Sequence, residues 1–157
     1  RFHMVDRLKT PSEAFVSGLA DAVDVHLLKA FAAPELQVLI SGADAAVDVD
    51  DLRKFTRYEN CRSNDSTVTR FWAVCKKLSP SDRAALLKFV TACERGPSLG
   101  FGALEPPFTI RKIPDSDKLP SASTCFNTLK LPSYSSEKLL RERLLTSIHS
   151  GAGFDLS

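Results

Sequence analysis

The spacing of apolar positions divides the chain into an all-helical first part and a mixed second part. Phe15, Leu19 and Val23 recur at every fourth position behind Thr10-Pro11-Ser12-Glu13. That tetrapeptide has the form of a helix start, with Thr10 as the cap, Pro11 at the first helical position and Glu13 closing a capping box. A short helix through Leu27, Leu28 and Phe31, and another opened by Pro34 and carrying Leu36, Leu39 and Ile40, complete a small helical block. Ser41 to Ala46 then breaks the period with small and polar residues around Gly42, which reads either as a hinge or as an ordinary helix C-cap.

Beyond this break Leu52 to Tyr58 reads as the end of a short helix, and Glu59 to Asp65 as a polar loop. Val68, Phe71, Trp72 and Cys75 return to helical spacing, which makes Trp72, the single tryptophan, a core anchor. Ser79-Pro80-Ser81-Asp82 is a second capping-box start, for a helix with Leu86, Leu87, Val90 and Cys93 on its apolar face and an end at Gly96-Pro97. Ser98 to Pro107, rich in Gly and Pro, predicts a loop with at most a short 3₁₀ turn. Phe108 to Ile113 reads as a strand stopped by Pro114, and a second strand runs on from Cys125 with Cys125, Asn127, Leu129 and Leu131 on one face. Leu140, Leu144 and Ile148, flanked by Leu139 and Leu145, predict a last helix packed on the sheet and closed by Gly151. Glu137 with Arg141 and Lys138 with Glu142 would pair along its outer side. The fold class is therefore α+β, a helical segment followed by a small sheet packed by helices.

Composition narrows the function classes. Over 157 residues, 43% are hydrophobic and 25% charged, which supports a packed core. No apolar run approaches the roughly 18 residues of a membrane span. The net charge is only +2 and the basic residues are scattered, which argues against nucleic acid and membrane partners and for proteins. The opening Arg1 to Lys9 has no start methionine, so a piece of a longer protein is expected. The four cysteines, Cys61, Cys75, Cys93 and Cys125, include no Cys-x-x-Cys pair and have no histidine at ligand spacing, so neither a metal nor another cofactor is expected. They read as free thiols of a reducing compartment, with Cys75 and Cys93 in the core. Asp48, Asp50 and Asp51 lack the glycine and distal glutamate of a calcium loop and are read as helix-starting, solvated carboxylates.

The candidate chemistry lies between Leu119 and Pro132. Ser121, Ala122 and Ser123 are small and would leave a cleft beside Cys125, where loop turns to strand. On spacing alone a buried structural cysteine and a nucleophile stay equally open. A hydrolase needs a base, yet no His, Asp or Glu lies within five residues of Cys125. Asp117 is the nearest acid, and His149 or His26 would have to approach through the fold. Exchange of an acyl group between thiols asks only for access, partial ionisation and alignment.

Leu119-Pro120, Thr124-Cys125-Phe126-Asn127 and Leu129-Lys130-Leu131-Pro132 resemble the active-site segment of HECT-type ubiquitin ligases, and Gly153-Phe154-Asp155-Leu156-Ser157 resembles that family's C-terminal tail. Phe89-Val90-Thr91, Arg95-Gly96-Pro97 and the run Glu35 to Gly42 are similar to further family elements, so the resemblance covers most of the chain. It implies a ubiquitin-protein transferase in which Cys125 accepts ubiquitin from a conjugating enzyme (E2) as a glycyl thioester and passes it to a substrate lysine. Leu119, Pro120, Ser123, Thr124, Phe126 and Asn127 would shape the cleft for ubiquitin's extended tail. Phe154 would dock on the other lobe and bring Asp155 near the thioester. By the same resemblance residues 1–41 are the tail of the N-lobe, 42–46 the hinge and 47–157 the C-lobe, with the E2-recruiting region outside the chain. The implied partners are ubiquitin, a conjugating enzyme and protein substrates, in the cytoplasm and/or nucleus. The tail and Thr91-Ala92-Cys93 resemble the subgroup of large ligases that extend ubiquitin chains. Ser123 stands where many members carry histidine, Ala92 where a glycine is common, and Asn60 to Arg62 lacks a glycine pair seen in some relatives. A non-catalytic ubiquitin- or protein-binding module of the same fold is the alternative.

Overall fold

The computed structural model describes residues 2–41, 46–114 and 117–150. The chain divides into two compact units, residues 1–40 and 41–157. In the first, α1 (Phe2–Ala20), α2 (Val25–Leu28) and α3 (Ala33–Ser41) follow one another. Asp24 caps α2 by accepting the His26 backbone N–H at 2.9 Å, and Phe31, expected inside that helix, lies beyond its end. The start expected at Thr10 is not used. Helix α1 continues through it with Pro11 inside, because proline's fixed φ suits a helix even though its ring removes one hydrogen bond to the preceding turn. The apolar positions of this unit are largely uncovered, with Phe15 of α1 and Val23 beyond its end exposed and Leu19, Val25, Leu28 and Leu36 only half-buried.

The second unit holds the core. Asp48 caps α4 (Val49–Phe55) by accepting the N–H groups of Asp50 and Asp51 at 2.9 and 3.1 Å. Asp51 is not merely solvated, since its carboxylate also accepts the Phe101 N–H at 2.8 Å and ties α4 to the 3₁₀ turn Phe101–Ala103. The stretch read as continuing helix instead turns at Thr56 and becomes β1 (Arg57–Glu59). Nothing local marks β1 as a strand; it forms because parallel pairing with β2 (Thr109–Ile113) satisfies its backbone, Arg57 opposite Thr109 and Glu59 opposite Arg111.

Helix α5 (Ser66–Lys77) begins directly after the expected loop, capped by the last loop residue, Asp65, while α6 (Pro80–Thr91), capped by Ser79, begins where its capping box predicts. Trp72 is buried, packs edge to face on Phe71 at 5.0 Å and donates its ring N–H to the Tyr58 hydroxyl at 3.2 Å. Helix α6 stops earlier than expected. Ala92 takes φ +63°, the left-handed conformation that ends helices, so Cys93 falls outside the apolar face and is exposed, not buried as its spacing suggested.

The sheet has four strands in the order β1-β2-β4-β3, with β3 (Ser121–Ser123) and β4 (Thr128–Pro132). The β1-β2 and β2-β4 pairs are parallel and β3-β4 is antiparallel. Pleating sends one cross-strand row, Tyr58, Ile110, Leu129 and Ala122, toward the core, where the last three are fully buried. Helix α7 (Glu137–Ser150) packs mainly against α5 and α6 rather than on the sheet; Leu140 and Leu144 are buried and Glu137 pairs with Lys77 at 2.6 Å. Among the described residues no helix is long and apolar enough to cross a membrane. Gly151, the core of the expected hinge at 42–45, and Phe154 with Asp155 lie outside the described residues.

Candidate functional site

Cys125 is not the first residue of a strand. It sits in the 3₁₀ turn Thr124–Phe126, which with Asn127 links the antiparallel pair β3 and β4. A chain reversing direction between paired strands over so few residues needs one residue in the left-handed region, and Asn127 supplies it with φ 46° and ψ 39°. Asn127 is also the anchor of the turn. Its amide donates to the Pro106 carbonyl at 2.6 Å, its N–H to the Thr124 carbonyl at 3.3 Å, and its own carbonyl accepts the Thr109 N–H at 2.9 Å. Thr128 donates its hydroxyl to the Phe126 carbonyl at 3.0 Å. The thiol is thus carried on a turn whose feet are clamped to β2 and to the loop before it.

The sequence-predicted residues separate into support and surface. Pro120, Ser123 and Asn127 are buried, Leu119 and Thr124 are half-buried, while Cys125 is exposed and Phe126 is 63% exposed. Ser123 and Phe126 do meet, in a groove of about 220 Å³ completed by Arg111, Thr128 and Lys130. The last three were not anticipated, although alternation could have found them: Arg111 and Lys130 are the polar positions beside Ile110 and between Leu129 and Leu131. By register Glu59, Arg111, Lys130 and Ser121 form one row across the sheet, and the Arg111 guanidinium donates to the Glu59 carboxylate. The groove floor is therefore a polar sheet surface, and strand β3 forms one end of the sheet.

The four thiols differ sharply in environment. Burial pushes the Cys75 thiol far above the ordinary range and raises that of Cys61, so neither presents a ready thiolate. Cys125 and Cys93 are the exposed pair. Cys93 follows a helix end, its N–H bonded to the Thr91 hydroxyl at 3.2 Å. No hydrogen bond joins the Cys125 thiol to a histidine or carboxylate among the described residues. His149 is taken up by Asp82 at 2.8 Å, and the Asp82 carboxyl is held below its usual range chiefly by the Ser79 hydroxyl, then by His149. Asp117 is exposed and lines a different cavity. Among the described residues no histidine or carboxylate is hydrogen-bonded to the thiol as the activated base of a Cys-His hydrolase would be, and the turn offers an accessible thiol. Among the described residues no group of acids, histidines and cysteines is placed to hold a metal ion.

Comparison with known proteins places the whole chain in one family. The family model described as HECT-domain (ubiquitin-transferase) matches residues 1–157. A probable E3 ubiquitin protein ligase of Schizosaccharomyces pombe is 41% identical over 99% of this chain, covering 15% of its own length. The E3 ubiquitin-protein ligase HUL5 of Saccharomyces cerevisiae is 43% identical over 94% of the chain and 16% of its own length. Ubiquitin-protein ligase E3B of Homo sapiens is 37% identical over 99% of the chain and 17% of its own length. The chain thus spans about one sixth of the length of these relatives.

Proposed function

Since the chain belongs to the HECT-domain (ubiquitin-transferase) family, we propose that it is the thioester-forming part of a ubiquitin-protein transferase, with Cys125 as the acceptor. The Cys125 thiolate attacks the thioester between ubiquitin's C-terminal glycine and a conjugating enzyme. A new sulfur–acyl bond forms, the old one breaks, and the conjugating enzyme leaves as a thiolate that takes up a proton. In the second step a neutral lysine amine attacks the same carbonyl, an isopeptide bond forms, the bond to the Cys125 sulfur breaks, and the proton lost by the amine is taken up by the released thiolate or by solvent. The exchange is close to balanced because a thiolate replaces a thiolate, so position and access govern its rate. The observation that carries the proposal is the exposed thiol of Cys125 on a turn held by Asn127, in a chain that the family model matches throughout. Strand β3, at one end of the sheet beside the turn, offers an edge along which an extended ubiquitin tail can add as a further strand.

In this reading residues 1–41 belong to the N-lobe, 42–46 are the hinge and 47–157 are the C-lobe. The conjugating enzyme docks mainly on N-lobe surface outside this chain, and the tail residues Phe154 and Asp155 serve the second step. Exposure alone leaves Cys93 as a competitor, and that sets the test. A protein with both lobes is charged with ubiquitin from a loaded conjugating enzyme, and reductant-sensitive adducts are mapped by mass spectrometry in Cys125→Ala and Cys93→Ala. The adduct disappears in the first and persists in the second. An adduct surviving Cys125→Ala refutes the assignment, and no adduct in the wild type leaves a binding module that keeps the fold without the transfer.

A further inference from the structure

Away from the thiol, a cavity of about 480 Å³ opens between the start of α5, the end of β2 and the first half of α7. Its walls hold three cationic side chains, Arg70, Arg143 and Lys112, against one carboxylate, Asp117. Lys112 is already satisfied, because its ammonium lies 2.8 Å from Asp65. The two arginines are not. Arg70 gives one N–H to the Tyr134 carbonyl at 3.0 Å and is bonded to no carboxylate among the described residues. The Arg143 Nε is shut off from solvent and has no hydrogen-bond partner at all. A buried guanidinium donor without an acceptor is costly, and two guanidiniums on one cavity, neither of them hydrogen-bonded to a carboxylate among the described residues, repel each other. Such a site suits an anion with several acceptor oxygens.

We propose that this cavity binds a phosphate monoester carried on a protein segment, such as a phosphoserine side chain. Guanidinium forks match the oxygen geometry of phosphate and can bond it through two N–H groups each. Ser66 and Ser135, both exposed at the cavity, add hydroxyl donors that a phosphate's remaining oxygens can use. Asp117 opposes the anion, but the two arginines outweigh it. A segment-borne group is favoured over a free ion by the space available and by Leu139, which gives the cavity an apolar wall suited to the methylene and backbone that carry a phosphate. Nothing in this assignment depends on Cys125, so its failure leaves the thioester reading untouched.

The test is calorimetric titration of the chain with a short phosphoserine peptide, its unphosphorylated counterpart and inorganic phosphate, at two salt concentrations. The phosphopeptide binds, the unphosphorylated peptide does not, inorganic phosphate binds more weakly than the phosphopeptide, and affinity falls with salt. Arg143→Gln, with circular dichroism and melting temperature as folding controls, lowers phosphopeptide affinity by about tenfold or more. Arg143→Lys, which keeps the charge and loses the fork, falls between. The same Arg143→Gln variant melts no lower than wild type without ligand, since it removes a buried N–H donor that has no acceptor. Equal binding of the two peptides, an unchanged affinity in Arg143→Gln, or inorganic phosphate binding as tightly as the phosphopeptide would each overturn the proposal.

Discussion

Replacing Asn127 separates two contributions that hold the turn under Cys125. The residue occupies φ 46°, ψ 39° and its buried amide donates to Pro106 at 2.6 Å. Asn127→Gly keeps access to the left-handed region and loses only the side-chain bond, leaving the Pro106 carbonyl without that donor. The net worth of such a bond, about 0.5–1.5 kcal/mol, with a share of the penalty for an unpaired buried acceptor, predicts a loss of roughly 1–2 kcal/mol. Asn127→Ala loses the same bond and, with it, the polar side chain that lets asparagine tolerate a left-handed backbone, so the strain of its Cβ there, about 1–2 kcal/mol, is offset only in part by alanine's lower entropy than glycine's in the unfolded chain. The expected loss for alanine is therefore about 2–3 kcal/mol, with glycine the milder variant by roughly 1 kcal/mol. Urea unfolding at constant m-value measures both differences. Glycine also frees the turn, so ubiquitin loading of Cys125 should slow in both variants even where they remain fully folded. Equal stabilities of the two variants, or both within about 0.5 kcal/mol of wild type, would refute the argument that Asn127 holds the turn by conformation and hydrogen bond together.

The same left-handed logic runs in the opposite direction at Ala92, where φ is +63° and glycine would fit without strain, so Ala92→Gly should raise stability by about 0.5–1 kcal/mol in thermal unfolding. Asp65 has its carboxyl held below the usual range, first by the hydrogen bond from Lys112, so it stabilises the fold above the unfolded pKa of roughly 4, and that stability is lost as pH falls through the lower folded value. Asp65→Asn keeps an N-cap acceptor for α5 and removes the ion pair, so the melting temperature should fall less steeply between about pH 4 and pH 2 than in wild type. Phe154→Ala, in a protein with both lobes, should leave loading of Cys125 intact and slow discharge to lysine at least tenfold, about 1.4 kcal/mol in the barrier; single-turnover discharge measures it, and an unchanged rate removes the tail from the mechanism.

Much of the second unit was legible residue by residue. Ser79 starts α6 because a capping oxygen satisfies a backbone donor within three residues, a relation written wholly in local sequence; Asp65 does the same for α5, although its surroundings read as a polar loop. Trp72, Leu86, Leu87, Leu140 and Leu144 are buried because helical period fixes which side chains share a face. The segment around Cys125 was recognisable because its residues follow one another without interruption. What the sequence hid depends on groups far apart along it. Strand β1 exists only through hydrogen bonds to β2 some fifty residues on, so Arg57 and Tyr58 read locally as the end of a helix and Glu59 as the start of a loop. Thr10 and Pro11 carried a cap signal that a continuing helix overrode, and Cys93 kept the apolar spacing of α6 after Ala92 had ended the helix. The groove beside the thiol is likewise a tertiary product: Arg111 and Lys130 become neighbours of Phe126 only when β2 and β4 pair in one register. Caps and periods are decided over three or four residues, whereas strand partners, registers and the surfaces they create are decided by long-range pairing, which no single stretch of the chain records.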